Sequence, residues 1–345
     1  MMKEAIKKVV AGKHLSEGDA SAVMEQIMDG KASPAQIASL LTAMHLKGET
    51  VDEITGFARV MRQKSTLVNS THPLLVDTCG TGGDGAGTIN ISTTAAFVVA
   101  GAGLPVAKHG NRSVSSKCGS ADVLEELGVA VDLEREAMED CLDQVGMAFL
   151  FAPLLHKSMG HAAVPRREIG IRTVFNILGP LTNPAGAKAQ VLGVYSSSLT
   201  ETLAKVLARL GSSRAFVVHG AGGLDEISLA GVSVLCEVKD GSVRKGTLDP
   251  AKFGFALAPI STLAGGSPKE NAAITRLILE GEKGPRRDAV ILNAALGLVA
   301  GGKAHGINEG ISAAAASIDS GSALAKLNEL VDFTRRHAPK KAAVQ

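Results

Sequence analysis

The sequence is poor in aromatic side chains: its 345 residues include nine phenylalanines, one tyrosine and no tryptophan. Proteins that bind single-stranded nucleic acids stack the bases on aromatic rings, and this chain offers no obvious platform of that kind. The formal net charge of +2 is also too small for a general attraction to nucleic acid or to an anionic membrane. We therefore expect neither a nucleic acid nor a membrane as a partner.

Cysteines and long apolar runs are also scarce. The longest apolar runs, near residues 95–107 and 289–300, are shorter than the roughly 20 residues that a membrane span needs. The N-terminus lacks the apolar core of about 7–15 residues that marks a secretory signal. The cysteines are widely separated and form no Cys-x-x-Cys pair, which is typical of reduced thiols in a cytosolic protein. These expectations together predict a cytoplasmic protein. The cysteines are Cys79, Cys118, Cys141 and Cys236.

The first 71 residues are predicted to form a small all-helical domain. Three motifs in this region resemble capping boxes, in which a hydroxyl residue is followed three positions later by an acid or an amide. Apolar residues recur at helical spacing between these motifs. Helices this short need partners, so we expect a small bundle. The three motifs are Ser16-x-x-Asp19, Ser33-Pro34-x-Gln36 and Thr50-x-x-Glu53.

From residue 72 to residue 345 the sequence predicts a large α/β domain. Apolar strand-like runs alternate with helical stretches near 120–127, 134–144 and 199–210. This alternation indicates a mainly parallel central sheet flanked by helices. Residues 228–247 interrupt the pattern with a predicted hairpin around Asp240-Gly241. The candidate strands are 74–78, 104–108, 129–133, 147–151, 189–195 and 214–219.

The most informative stretch is the glycine-rich segment from Asp77 to Thr93. It follows a strand-like run, contains five glycines between positions 80 and 87, and leads into a small apolar helix. A strand that passes through glycines into a helix presents free backbone N–H groups to an anion, and phosphate suits that geometry. Asp77 and Asp84 lie in the same stretch, and cations would be needed to bridge them to a phosphate. The segment therefore predicts a polyphosphate bound with a divalent metal.

Other interpretations of this segment are weaker. The spacing Gly80-x-Gly82-x-x-Gly85 matches the dinucleotide-binding pattern, but the region about 20 residues further on is basic where that pattern needs an acid. The Gly-Lys-Ser/Thr of a phosphate-binding NTPase loop is missing. A glycine-rich turn that binds nothing is the remaining alternative.

A second polar stretch runs from Lys108 to Ser120. It also follows a predicted strand, and it leads into a helix for which Ser120 is the expected N-cap. Lys108 and Arg112 could form charge-assisted hydrogen bonds with an anion, and several hydroxyls and an amide add further donors. We expect this stretch to contact a phosphate or a sugar.

A third stretch, from His219 to Glu226, carries two adjacent carboxylates on a glycine-rich loop after a strand. Asp225 and Glu226 suit Mg²⁺, which takes one or two protein carboxylates together with waters and substrate phosphates. Ser92 could add a hydroxyl ligand. The alternative is a helix start, where acids are stabilised by the helix dipole.

A fourth stretch, from Val164 to Thr173, contains three arginines near an expected proline-led helix start. Arg166, Arg167 and Arg172 could bind a carboxylate through paired hydrogen bonds. Surface salt bridging is the alternative.

Together these stretches closely resemble the anthranilate phosphoribosyltransferase family of nucleoside-phosphorylase-like phosphoribosyltransferases. The resemblance extends from about residue 15 to about residue 335. The matching segments are Asp77-Thr-Cys-Gly-Thr-Gly-Gly-Asp84-Gly, Asn90-Ile-Ser-Thr93, Lys108-His-Gly-Asn-Arg112, Gly170-Ile-Arg-Thr-Val-Phe-Asn-Ile-Leu-Gly-Pro-Leu-Thr-Asn-Pro184 and His219-Gly-x-Gly-Gly-Leu-Asp-Glu226.

The resemblance implies an architecture and a reaction. The N-terminal helical domain would be rejoined by helices near 165–185, and the site would lie in the cleft between this domain and the α/β domain. The reaction implied is transfer of 5-phosphoribose from phosphoribosyl pyrophosphate to the amino group of anthranilate in tryptophan biosynthesis. The resemblance further implies a homodimer and allows an association with anthranilate synthase.

The resemblance also implies roles for individual residues. Catalysis would depend on positioning and electrostatics, with Lys108 and Asp84 as candidate catalytic groups. Two Mg²⁺ ions per subunit would be held by Ser92, Asp225 and Glu226. Anthranilate would meet Gly80, Asn111, His156 and Arg166. Phosphoribosyl pyrophosphate would meet Gly80, Gly82, Gly83, Asp84, Thr88, Asn90, Ile91, Ser92, Thr93, Lys108, His109, Gly110, Asn111, Arg112, Ser113, Val114, Ser115, Ser116 and Ser120.

Two alternatives share the expected fold. A pyrimidine nucleoside phosphorylase uses inorganic phosphate, and its glycine loop has a different sequence. The Asp77 to Asp84 segment argues against this alternative. A non-enzymatic relative that binds nucleic acid is disfavoured by the low net charge and by the intact pair Asp225-Glu226.

Overall fold

The computed structural model describes residues 1–113 and 117–339. Its N-terminal part consists of four helices, and the last three begin where the three capping motifs predicted. The hydroxyls of Ser16, Ser33 and Thr50 each accept the backbone N–H three residues later, and the last two form complete capping boxes. The prediction of an all-helical N-terminal region is confirmed. The helices are α1 Met2–Val10, α2 Glu17–Met28, α3 Pro34–Lys47 and α4 Val51–Lys64.

The rest of the described chain builds a seven-stranded sheet in the order β3-β2-β1-β4-β5-β6-β7. Strands β1 to β5 pair in parallel, and β6 and β7 are antiparallel. The chain runs outward in one direction from β1 and in the other from β4, so the strand order reverses between these two neighbours. Sheets of this kind bind ligands at such a reversal, beyond the carboxyl ends of the strands. The strands are β1 Val76–Gly80, β2 Val106–Gly110, β3 Met147–Phe151, β4 Ala189–Gly193, β5 Arg214–His219, β6 Ser233–Lys239 and β7 Ser242–Leu248.

The predicted hairpin is confirmed as β6 and β7. Its two turn residues, Asp240 and Gly241, have φ angles of 49° and 78°. Positive φ at both central residues is the backbone of the tight turn that matches the twist of paired strands.

Helices cover both faces of the sheet, as predicted for this fold class. The predicted helices near 120–127, 134–144 and 199–210 are confirmed as α6 Ser120–Glu126, α7 Arg135–Val145 and α11 Ser198–Arg209. The helices that follow β1 are α5 Ile91–Gly101, α6 Ser120–Glu126, α7 Arg135–Val145, α8 Ala152–Leu155, α9 Gly160–Ile169, α10 Phe175–Leu178, α11 Ser198–Arg209, α12 Pro268–Leu279, α13 Pro285–Ala300, α14 Ile307–Asp319 and α15 Ser322–His337.

One predicted strand is wrong. Residues 129–133 form an extended connection without strand pairing, although Val129, Val131 and Leu133 are buried in alternation. The Ala130 N–H donates to the Thr334 hydroxyl on α15, 3.1 Å away, where a strand would offer a neighbouring carbonyl. The alternating pattern reflects burial of one side of this connection, which a sequence pattern cannot distinguish from a strand.

Two apolar cores lie on either side of the sheet. One contains α5, α13 and α15, whereas the other is shared by α1 to α4, α11 and the segment around α9 and α10. Ala162, Phe175 and Leu178 of that segment pack in the same core as the N-terminal helices. Gly179, directly after α10, contacts the His109 ring near the end of β2 at 3.2 Å, so this segment lies against the carboxyl edge of the sheet. Among the described residues, none of the helices combines the length and the apolar character needed to cross a membrane.

Candidate functional site

The glycine-rich segment forms a loop that leaves β1 and enters α5 at the carboxyl edge of the sheet. Gly82, Gly83, Gly85 and Gly87 all have φ angles between 63° and 77°, a region that residues with a Cβ rarely adopt. Asn90 is the N-cap of α5. The prediction of a strand followed by a glycine loop and a helix is confirmed.

The two adjacent carboxylates lie beside this loop. The Asp225 carboxylate accepts the Gly82 N–H at 2.8 Å, and the Glu226 carboxylate accepts the Ser92 N–H at 3.0 Å. One acid therefore binds the start of the glycine loop, and the other binds the first turn of α5. Residues 225–232 form bends and turns, so the alternative of a helix start at these acids is wrong.

Strands β1 and β4 both end in glycine, and this leaves room for the acids. A Cβ on Gly80 would lie 2.5 Å from the Asp225 carboxylate, and a Cβ on Gly193 would collide with the Asp225 backbone. Asp225 thus sits directly against the ends of β1 and β4, where the strand order reverses. Gly193 was not among the predicted site residues, although a lone glycine inside a strand can signal such a close approach.

A buried amide on α13 fixes the acidic loop from behind. The Asn293 side chain accepts the Ile227 N–H at 2.9 Å and donates to the Ile227 carbonyl at 3.0 Å. Ile227 directly follows Glu226, so this pair of bonds sets the backbone at the acids. Sequence reasoning missed Asn293 because nothing local distinguishes it from other polar residues in an apolar helix.

The electrostatics of the acid pair favour a bound cation. Burial, together with the nearby charge of Asp84, raises the pKa of Asp225 to about 7. Burial likewise raises the pKa of Glu226 to about 8, with Asp225 adding to the effect and Lys108 opposing it. Carboxylates held together in this way are stabilised in their charged form by a cation.

The donor set fits Mg²⁺. Carboxylate and hydroxyl oxygens are the ligands that this ion prefers, and it usually keeps several waters and takes substrate phosphates as well. Within residues 1–113 and 117–339, no group of three or more histidine, cysteine, aspartate or glutamate side chains is placed to bind a metal by itself. A site with one or two protein carboxylates is consistent with both observations.

Asp77 corrects one expectation about the loop. Its side chain is fully buried within β1 and accepts hydrogen bonds from the Asn183 amide at 2.8 Å and from the His109 N–H at 3.2 Å. It therefore needs no cation to bridge it to a phosphate. Asp84 remains in the loop, where its carboxylate accepts the Ala86 N–H at 3.0 Å.

Strand β2 places Lys108 and His109 near the carboxyl end of the sheet, with their side chains on opposite faces. The Lys108 ammonium is buried and donates to the Thr78 carbonyl, and burial lowers its pKa. The His109 ring lies 5.1 Å from the His156 ring, and the Nε2 atoms of both are buried without a partner among the described residues. Burial lowers the pKa of His109 to about 3 and that of His156 to about 4, so both rings are neutral.

The stretch after β2 is only partly available to a ligand. Arg112 forms a bidentate ion pair with Glu125, in which its two terminal nitrogens lie 2.5 and 2.6 Å from the carboxylate oxygens. It also donates to Asp122 on α6. The prediction that Ser120 is the N-cap of α6 is wrong, because Gly119 is the cap and Ser120 is the first residue of the helix. The Ser120 hydroxyl bonds the backbone of Asn111. Gly110 ends β2, and the Ser113 N–H donates to Asp122 at 3.1 Å. Val114, Ser115 and Ser116 lie outside the described residues.

The residues around the start of α5 divide into two groups. The Asn90 carboxamide is oriented by Asn271, which donates to it at 2.9 Å, and it donates to the Cys118 carbonyl at 3.3 Å. In contrast, the Ile91 and Thr93 side chains are buried in the core, so only their backbone could contact a ligand. Thr88 forms a short antiparallel bridge with Ala264.

The arginine stretch reaches the glycine loop from the segment around α9 and α10. Pro165 lies inside α9, which begins at Gly160, so the expected helix start at this proline is wrong. Arg166 is half-buried, with its guanidinium 5.0 Å from the centre of the Phe175 ring. Arg172 lies beyond α9 and donates to the Gly83 carbonyl.

Comparisons with known proteins identify the family. Residues 3–65 match the helical bundle domain of a glycosyl transferase family. Residues 72–324 match the a/b domain of a glycosyl transferase family. The anthranilate phosphoribosyltransferase of Pelotomaculum thermopropionicum is 79% identical over 345 residues, covering 100% of both chains. That of Desulforamulus reducens is 64% identical over 343 residues, covering 99% of each chain.

Solved structures agree with these relatives. The anthranilate phosphoribosyltransferase of Thermus thermophilus has a TM-score of 0.91 at 46% identity, covering 96% of this chain and 99% of that one. The enzyme of Saccharomyces cerevisiae, in complex with phosphoribosyl pyrophosphate and Mg, has a TM-score of 0.89 at 31% identity. The match covers 97% of this chain and 98% of that one. The chain belongs to the anthranilate phosphoribosyltransferase family.

Proposed function

We propose that the cleft at the carboxyl edge of the sheet transfers 5-phosphoribose from phosphoribosyl pyrophosphate to the amino group of anthranilate. One observation carries this proposal above the others. Asp225 and Glu226 bind the backbone amides at the two ends of the glycine loop, so a cation-binding pair and a phosphate-binding loop form a single unit. A polyphosphate with a divalent cation is the ligand that such a unit fits.

The donor would be held by the glycine loop, the first turn of α5 and the stretch after β2. In this arrangement Gly80, Gly82, Gly83 and the Ser92 backbone approach the phosphates closely, since no Cβ or only a small side chain stands in the way. Lys108 supplies a buried positive charge near the carboxyl end of the sheet. Asn90, already oriented by Asn271, offers an amide to the ribose or to the phosphates.

Mg²⁺ would be held by Ser92, Asp225 and Glu226, with two ions per subunit. The relative from Saccharomyces cerevisiae was solved with phosphoribosyl pyrophosphate and Mg, which supports the choice of ion. When bound, the metal would neutralise charge that develops on the departing pyrophosphate.

Anthranilate would lie on the other side of the cleft, against Gly80, Asn111, His156 and Arg166. A relative from Saccharomyces cerevisiae was solved with 4-fluoroanthranilate, which supports an aromatic acid as acceptor. Arg166 is held over the Phe175 ring, where a guanidinium can pair with the acceptor carboxylate. The His109 and His156 rings are neutral, so they add no positive charge to this side of the cleft.

The chain contributes to the reaction mainly by placing its two substrates. The glycine loop orients the leaving group, and Arg166 orients the amine for attack at the ribose carbon. Alignment of two reactants can supply a large part of the barrier reduction. Lys108 and Asp84 are the candidate groups that act closest to the reacting centre, through charge stabilisation at the donor.

Four further features remain predictions. The first is a division into a helical domain of residues 1–71, rejoined by helices near 165–185, and an α/β domain of residues 72–345. The second is a homodimer, which the exposed apolar side chains Val10 and Leu46 on the helical domain would favour. The third is association with anthranilate synthase, and the fourth is a cytoplasmic location.

The test of this function is the loss of anthranilate fluorescence when the protein is mixed with phosphoribosyl pyrophosphate and Mg²⁺. We expect rapid loss that EDTA abolishes. A parallel reaction with a pyrimidine nucleoside and inorganic phosphate tests the related phosphorylase activity. Phosphorolysis of the nucleoside together with unchanged anthranilate fluorescence would overturn the proposal.

A further inference from the structure

Arg172 joins two parts of the site that are distant in sequence. It lies on the exposed connection between α9 and α10, and its guanidinium donates to the Gly83 carbonyl in the glycine loop. The same guanidinium lies over the ring of Tyr195, with 4.4 Å between the guanidinium carbon and the ring centre. The sequence motif predicts Arg172 only as one of three cations that could bind a carboxylate, and the proposed function gives it no role.

The glycine loop is anchored at three successive residues by three different elements. The Thr81 N–H donates to the Gly193 carbonyl at the end of β4, at 2.8 Å. The Gly82 N–H donates to the Asp225 carboxylate at 2.8 Å, and the Gly83 carbonyl accepts from Arg172. The first two anchors belong to the sheet and its loops, whereas the third comes from the segment that also carries Arg166.

Tyr195 connects these anchors. Its backbone N–H donates to the Thr81 hydroxyl at 3.1 Å, and its ring supports the guanidinium that binds Gly83. A planar guanidinium resting on an aromatic face has less freedom than an unsupported side chain, so less entropy is lost when it forms a hydrogen bond. This support makes the contact stronger than an ordinary exposed interaction of arginine.

The loop needs such an anchor because it is rich in glycine. Gly82 and Gly83 have φ angles of 65° and 77°, and glycine gains no restriction from a side chain. Ordering this backbone when a phosphate binds therefore costs conformational entropy. An anchor on Gly83 that exists before the donor arrives reduces that cost.

We propose that Arg172 is a positioning residue for the donor site, which orders the glycine loop from the acceptor side of the cleft by binding Gly83 while resting on Tyr195. This inference rests on the proposed function of the cleft. It also ties the two substrate sides together, since Arg166 and Arg172 lie on one short segment.

The kinetic test uses Arg172→Ala, Arg172→Lys and the control Arg167→Ala, which removes a neighbouring exposed arginine of α9. Loss of one charge-assisted hydrogen bond should raise the KM for phosphoribosyl pyrophosphate by about tenfold in Arg172→Ala. Lysine cannot lie flat on Tyr195 as guanidinium does, so Arg172→Lys should show most of the same effect. In the Arg172 variants the KM for anthranilate should stay within about twofold of wild type. In Arg167→Ala the KM for each substrate should stay within the same range.

A second measurement does not depend on turnover. Tyr195 is the only tyrosine and there is no tryptophan, so the tyrosine fluorescence of the intact protein reports on this residue alone. The guanidinium covers one face of the ring. Arg172→Ala should therefore make the emission clearly more sensitive to the neutral quencher acrylamide, and Arg167→Ala should not. Far-ultraviolet circular dichroism of the three variants checks that each is folded.

The outcomes separate this inference from the proposed function. If wild type consumes anthranilate but Arg172→Ala keeps a normal KM for phosphoribosyl pyrophosphate, the inference is wrong and the function stands. Full activity of Arg172→Lys would also overturn it, because charge alone would then suffice. If wild type fails to consume anthranilate, direct calorimetric titration of phosphoribosyl pyrophosphate into wild type and Arg172→Ala still tests the anchor, and equal affinities would contradict it.

Discussion

Gly193 and Asp225 are in such close backbone contact that no residue other than glycine fits at position 193. A Cβ there would collide with the Asp225 carbonyl group, and the end of β4 would be pushed away from the acidic loop. This contact places Asp225 against the seam between β1 and β4, within reach of Gly82. The proposed metal site therefore depends on a residue that takes no part in binding.

Gly193→Ala should strongly impair the enzyme. The added methyl group must displace Asp225, and overpacking of this kind typically costs about 1–3 kcal/mol of stability. We expect kcat/KM for phosphoribosyl pyrophosphate to fall by at least about tenfold, since each 1.4 kcal/mol of lost binding is a factor of ten. Steady-state kinetics over a range of Mg²⁺ concentrations would measure this.

The matched control for that prediction is Gly246→Ala in β7. A Cβ at Gly246 would meet only a Leu235 methyl group at 3.8 Å, which is ordinary contact. Its kinetics should match wild type. Equal behaviour of the two variants would mean that the Gly193 contact is not needed by the site.

Removal of both charges from the acid pair should nearly abolish turnover. Asp225→Asn with Glu226→Gln preserves the shape of the side chains and their ability to accept the Gly82 and Ser92 N–H groups, but removes the attraction for a cation. We expect kcat to fall by at least about 100-fold, because charge stabilisation at a leaving group is worth roughly 3 kcal/mol or more. Asp240→Asn, in the distant hairpin turn, is the control and should be unaffected. A near-normal rate of the double variant at saturating Mg²⁺ would place the metal elsewhere.

The sequence predicted those features whose cause is local. Helix starts at Ser33 and Thr50 follow from hydroxyl and acceptor residues three positions apart, and both capping boxes are present. The hairpin follows from Asp240-Gly241, because few other residue pairs adopt positive φ twice in succession. The glycine loop was predicted for the same reason, since its glycines adopt positive φ angles that other residues rarely take.

Features that depend on distant contacts were missed or misplaced. Asp77 stands next to the glycine loop in sequence, but its side chain points into the core, where Asn183 binds it. Asn293 fixes the acidic loop only because α13 packs behind it. Residues 129–133 alternate like a strand, yet α15 lies where a neighbouring strand would have to be. In each case the deciding partner is remote in the chain.

Arg166→Ala should affect the acceptor far more than the donor. The guanidinium is half-buried over Phe175, and burial lowers its pKa, as expected for a cation held away from solvent. Loss of its pairing with the anthranilate carboxylate should raise the KM for anthranilate by about ten- to a hundredfold, since hydrogen bonds to charged groups are worth about 1.5–3 kcal/mol. The KM for phosphoribosyl pyrophosphate should change by less than about threefold. Arg167→Ala serves as the control, and an unchanged KM for anthranilate in Arg166→Ala would move the acceptor elsewhere.

The buried histidines should make the protein less stable as the pH falls from about 6.5 to about 4. Burial lowers the pKa of His109 to about 3 and of His156 to about 4, whereas an exposed histidine has a pKa of 6.5. In that range the unfolded histidines bind protons that the folded ones exclude, so their contribution to the free energy of unfolding is largest above pH 6.5 and decreases below it. For each histidine, the free energy of unfolding changes by at most about 1.4 kcal/mol per pH unit.

The variant His156→Asn isolates this contribution from that of Asp225 and Glu226. Burial raises the pKa of both acids, which gives the folded chain extra protons and favours it as the pH falls. Urea denaturation of wild type and His156→Asn at several pH values between about 5 and 7 keeps the acids common to both proteins. Because asparagine does not titrate, the free energy of unfolding should fall less steeply in the variant as the pH decreases. Parallel curves for the two proteins would mean that His156 is protonated in the folded state as readily as in the unfolded chain, which would contradict a buried neutral ring on the acceptor side of the cleft.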